Sequence, residues 1–150
     1  KKGDQGILVA HGDQGGGYSM YIEDGELHHV HNGYGAMTEV PCGELSEAIS
    51  EIKLAVEAVG DLRWNTKVFV DDSRVAETPD LPVLTAMAPF EGIDVGIDRR
   101  SPVSWSLYER YGTFPYTGSL NSVTYIPGEL APDAGTRWID LLRDSGVKYE

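Results

Sequence analysis

The step Asp24-Gly25, set between two alternating runs, constrains this chain more than any other feature. Upstream, Tyr18, Met20 and Ile22 fall on one face of an extended strand, and Ser19, Tyr21 and Glu23 fall on the other. Downstream, Glu26 to Asn32 returns as a partner. Asp-Gly readily takes the two positive φ angles of a type I′ turn, whose twist matches that of the flanking strands. Residues 18–31 are therefore expected to form an antiparallel hairpin. Just before it, Gly6 to Gly12 is a short apolar run between glycines and reads as a buried strand. Gly12 to Gly17 carries too little side chain to pack and reads as a loop.

The same grammar recurs. Lys67 to Val70 runs into Asp71-Asp72-Ser73 and leaves as Arg74 to Glu77, with no glycine in the turn and hence a looser connection expected. Further short strands are expected at Leu81 to Met87, Ile93 to Gly96 and Ser119 to Ile126. Short strands punctuated by turn signals describe a mainly β fold, an antiparallel β-sandwich. Residues 46–60 read two ways. Ser46 could cap a helix with Ile49, Ile52, Val56 and Val59 as its stripe, yet Ile52, Leu54, Val56 and Ala58 also alternate as a strand. Beyond Ile126-Pro127-Gly128 the pattern changes to a short amphipathic helix over Thr136 to Ser145, stopped by Gly146. Its face of Trp138, Ile139, Leu141 and Leu142 is expected to be an interface, because a helix of this length is marginal in water alone.

Charge narrows the partners. Asp and Glu outnumber Lys and Arg by 24 to 12, a net charge of −12 over 150 residues. That field repels phosphate backbones and anionic lipid, so neither nucleic acid nor a membrane surface is an expected partner. No apolar run approaches the length of a membrane span, and no signal peptide opens the sequence. The single cysteine, Cys42, allows no internal disulfide. Lys1-Lys2-Gly3-Asp4, without an initiator Met, reads as the start of an excised piece.

The motifs together resemble the C-terminal region of the large bacterial arylsulfatases. Gly6 to Gly12, Gly16 to Tyr21 and Asp24 to His28 carry the likeness first. Val68-Phe69-Val70-Asp71 looks like that family's Leu-Tyr-Val-Asp-Gly hairpin. Asp94-Val95-Gly96-Ile97-Asp98 is similar to its Asp-Val-Gly-Arg-Asp, and Ser101-Pro102-Val103-Ser104 follows where it has Thr-Pro-Val. Tyr116-Thr117-Gly118 echoes Phe-Thr-Gly. The resemblance implies a concanavalin-like, jelly-roll β-sandwich over residues 1–126, and a tail over 127–150 that lies against a catalytic body. It also implies a strand over Glu51 to Val59. The family's nucleophile motif, Cys-x-Pro-x-Arg, lies far upstream of this region. Cys42, in Val40-Pro41-Cys42-Gly43-Glu44, lacks the Pro and Arg at those offsets. No catalytic residue and no cofactor is expected within these residues, although calcium could bind.

Three groups are candidate sites. His29 and His31 share a strand face and could hold zinc or copper, with His11 arriving from a neighbouring strand. Against this, their ligand number falls short of four, and the resemblance puts packing rings at both positions. Asp94 and Asp98 flank a glycine and could contribute to a calcium loop, although calcium wants six to eight oxygens. Asp71-Asp72 is most simply a solvated turn. Trp105, Tyr108, Tyr111 and Tyr116, with Phe114, make a ring-rich loop over 102–118 that could stack on a sugar or cap the core. No Gly-x-Ser-x-Gly, phosphate loop or dinucleotide fingerprint is present. The expected function is thus a non-catalytic accessory domain of an arylsulfatase-like sulfuric ester hydrolase. Its expected partner is an upstream catalytic domain or another copy of itself. The alternative is an independent lectin-like module that binds carbohydrate through the 102–118 loop. A third reading is an assembly protein that uses the tail helix as a clip.

Overall fold

The computed structural model describes residues 3–46, 49–84 and 91–147. Four strands follow one another as a meander: β1 (Gly6–Asp13), β2 (Gly16–Glu23), β3 (Glu26–Gly33) and β4 (Ala36–Glu44). The Asp24-Gly25 turn forms as expected, with φ of 51° and 84°. Tyr34-Gly35 repeats it at 55° and 90°, and so starts a strand, β4, that the sequence did not announce. The loop expected over Gly12 to Gly17 is mostly ladder instead: Gly12 pairs with Gly17 and Asp13 with Gly16, leaving only Gln14-Gly15 to turn. Bare backbone is what lets the strands approach. A Cβ on Gly12 would collide with the Gly16 carbonyl oxygen, and one on Gly17 with that of His11.

A second meander follows: β5 (Ile52–Gly60), β6 (Arg63–Val70) and β7 (Ser73–Pro82). The strand reading of residues 51–59 therefore holds, while Glu47 and Ala48 of the competing helix lie outside the described residues. The β6–β7 connection is tight rather than loose. Val70 pairs with Ser73, and Asp71 takes φ 51° in place of a glycine. Its carboxylate accepts from the Ser50 and Glu51 amides at 3.0 Å and from the Ser50 hydroxyl at 2.7 Å, which fixes the turn against the start of β5. Of the strand expected at 81–87, Leu81 and Pro82 end β7, Val83 and Leu84 are irregular, and the rest lies outside the described residues. β8 (Ile93–Val95) forms as expected and pairs with β1. Residues 119–126 form no strand and make no backbone hydrogen bond to another described residue.

The result is an antiparallel β-sandwich with a C-terminal helix. One sheet runs β4-β3-β2-β1-β8 and the other β5-β6-β7. Apolar side chains pack on both faces of the larger sheet. Leu8, Met20, Ile22, Leu27 and Cys42 meet Val68, Ile52 and Leu54 of the smaller sheet. On the opposite face Ile7, Tyr21 and Val30 meet Val103, Leu107 and Phe114. Those last residues come from the 102–118 stretch, which is not a simple loop. It contains a helix, α1 (Trp105–Tyr111), capped by the Ser104 hydroxyl, which accepts from the Leu107 amide. A second helix, α2 (Ala134–Val147), is longer at both ends than expected and runs through Gly146.

Candidate functional site

The histidines of β3 split between the faces of the sheet, as a period of two requires. His28 stacks flat on Tyr21, with ring centroids 4.7 Å apart and planes 3° apart. His29 and His31 point into the sandwich, and both are about 1 % exposed. His31 Nε2 lies 3.0 Å from the Pro82 carbonyl, and its ring meets Trp64 edge-on. Burial pushes His29 down to about 4, helped by the neighbouring His31, and its Nε2 has no hydrogen-bond partner among the described residues. His11 is elsewhere, on β1, edge-to-face with Tyr18 and Tyr125. Among the described residues no three His, Cys, Asp or Glu side chains converge as a metal site. Cys42 is buried beside this layer, and burial raises its thiol to about 11. A thiol so held is not a nucleophile at neutral pH.

The acidic pair is engaged. Asp94 accepts from the Arg99 guanidinium at 2.8 Å and the Arg99 amide at 2.9 Å. Asp98 is buried and accepts from the Val103 amide at 3.0 Å, tying the β8 turn to the stretch that enters α1. Burial, with the charges of Asp94 and Glu91, raises Asp98 to about 6.

The rings of the 102–118 stretch do not converge. Trp105 and Tyr108 stack on one another along α1 at 5.5 Å, and Trp105 is 52 % exposed. Tyr111 lies against Phe114 and donates to Glu23, which also receives Arg110. Tyr116 sits on the far side of the larger sheet, in a cleft with no counterpart in the sequence pattern.

That cleft, of about 1780 Å³, exists because a three-strand sheet cannot cover a five-strand one. Its floor is the inner face of β1 and β2, at Leu8, Met20 and Ile22. One wall is β5, and the other is the irregular stretch from Tyr116 to Gly128. Tyr18 and Tyr125 close one part of it, their hydroxyls 3.3 Å apart. No local pattern could have revealed the cleft, since it depends on how far the two sheets are offset.

Past the cleft the chain turns apolar and outward. Ile126 and Leu130 are each 85 % exposed, as are Trp138 at 67 %, Ile139 at 58 %, Leu141 at 48 % and Leu142 at 68 %. α2 is held by its polar start: Asp133 accepts from the Asp61 amide at 2.9 Å, and Arg137 bonds Asp133 and Asp61. The helix is thus tied to the β5–β6 turn, with Trp138, Ile139 and Leu142 largely exposed. No family model, curated protein or solved structure matches the chain.

Proposed function

We propose that this chain is a non-catalytic accessory domain of a larger arylsulfatase-like protein, in which its C-terminal tail docks on the catalytic body. One observation carries the reading: Trp138, Ile139 and Leu142 share a helix that is tied to the β5–β6 turn only at its polar start, among the described residues, and they are left largely exposed. Burying each such side chain is worth on the order of 1.5–3 kcal/mol, so a surface that exposes several together is a surface for something else. The inert Cys42 and the absence of a Cys-x-Pro-x-Arg segment in the sequence fit a supporting role. The encoding reading frame supplies the test. It should continue upstream into a Cys-x-Pro-x-Arg segment, and the purified chain alone should not hydrolyse a chromogenic aryl sulfate. A frame that opens at this chain, or turnover that is lost on mutating one of its residues, would contradict the proposal.

A second reading, a carbohydrate-binding module, is favoured by the exposed Trp105–Tyr108 stack. It leaves the tail unexplained.

A further inference from the structure

We infer that the outer edge of β5 pairs with the same edge of a second copy of this chain, antiparallel and centred on Ala55. This goes beyond the accessory-domain reading and uses a surface other than the tail's apolar face.

β5 is the terminal strand of the smaller sheet. The Asp71 amide donates to the Glu51 carbonyl at 2.9 Å, in the register that pairs Ile52 with Val70 and Lys53 with Phe69. Alternation then gives the backbone groups of Lys53, Ala55 and Glu57 to β6, and turns those of Ile52, Leu54, Val56 and Ala58 outward. Among the described residues no backbone hydrogen bond reaches that outer edge. The cleft runs beside it from Ile52 to Val56, with the stretch from Tyr116 to Gly128 on the far side. Natural sheets usually blunt such an edge with charged side chains, a proline or a bulge. From Ile52 to Ala58, β5 has no proline or bulge, its one irregularity lying beyond Ala58, and its two charges, Lys53 and Glu57, are opposite in sign.

The charges identify the occupant. Lys53 and Glu57 stand on the outer face of the sheet, Lys53 Nζ 4.5 Å from the Phe69 ring centroid and Glu57 3.7 Å from Lys67 Nζ. A two-fold axis at Ala55 sets Lys53 of each copy opposite Glu57 of the other. These fall in the closely spaced, non-hydrogen-bonded positions where cross-strand charges interact best. On the inner face the same register sets Leu54 against Val56 and Ile52 against Ala58. Neighbouring registers are worse. Centring on Leu54 puts Glu51 against Glu57, and centring on Val56 faces Lys53 with Val59. Centring on Lys53 or Glu57 puts a charge against its own copy. The strand is complementary to itself in one register.

Sedimentation equilibrium of the intact chain over a concentration series, with folding checked by circular dichroism, is the test. The unmodified chain should show a reversible monomer–dimer equilibrium. Lys53→Glu and Glu57→Lys should each weaken it about tenfold or more, by setting like charges opposite one another twice, and the double exchange should restore it. Val56→Pro removes only an outward N–H, so it should leave a folded monomer. A chain that stays monomeric throughout, a dimer indifferent to either exchange, or a folded double exchange that does not re-associate would overturn the inference. So would a dimer abolished by replacing Trp138 and Leu142 with serine but retained by Lys53→Glu, because that dimer would use the tail.

Discussion

His29 is a buried base whose Nε2 has no hydrogen-bond partner among the described residues, and Asp98 is a buried acid crowded by other acids; the two oppose each other in pH dependence. His29 sits at about 4 in the fold, below its ordinary 6.5, so protonation favours the unfolded chain. Its contribution is full above about pH 6.5 and is lost as pH falls through 4, with a slope of up to about 1.4 kcal/mol per unit and a total of about 3 kcal/mol. Asp98 is raised from 3.8 to about 6, so its contribution is full below 3.8 and is lost as pH rises through 6. Over the interval between about pH 4 and 6 the two nearly cancel. Urea unfolding across this range should separate them. Relative to the unmodified chain, His29→Phe should gain stability as pH falls from 6.5 to 4. Asp98→Asn, which can still accept from Val103, should gain it as pH rises from 4 to 6. Variant curves parallel to the parent's would show that neither group titrates differently on folding.

Among the elements, α1 depends most visibly on a single cap. Two turns of helix bury one side chain, Leu107, and their start is fixed by the Ser104 hydroxyl. Ser104→Ala should cost about 1 kcal/mol, seen as a melting temperature lower by about 3 °C, and should loosen the Trp105–Tyr108 stack. A melt unchanged by that substitution would mean that Val103 and Leu107 alone hold the helix. The same thin burial explains why α1 was invisible in the sequence: one buried residue has no period to read. β4 was missed for a related reason. It is an edge strand with Pro41 and Gly43 in it, and of its nine residues only Cys42 is buried, so it shows no alternation of apolar and polar. The hairpins at Asp24 and Asp71 were legible because turn chemistry is local. Residues 119–126 had strand composition without a strand, since a strand also needs a neighbour and sequence composition does not supply one. The histidine faces followed from period alone, whereas the cleft and the open edge of β5 followed from sheet offset and could not be read.

For the whole molecule, the division between a self-sufficient sandwich and a tail built for something else is the central claim. Both hydrophobic clusters are complete by Tyr116. From Pro127 to Asp144 no described side chain is buried, and the tail's attachment to the β5–β6 turn is an exposed set of ion pairs around Asp133 and Arg137. Exposed pairs of this kind contribute little to stability. The thermal melt of a chain ending at Ile126, set beside that of the full chain, tests the division most directly. The truncated protein should fold and melt within a few degrees of the full one. A truncated chain that fails to fold, or that melts far lower, would mean that α2 belongs to this domain's own core and would remove the surface on which the accessory-domain reading rests.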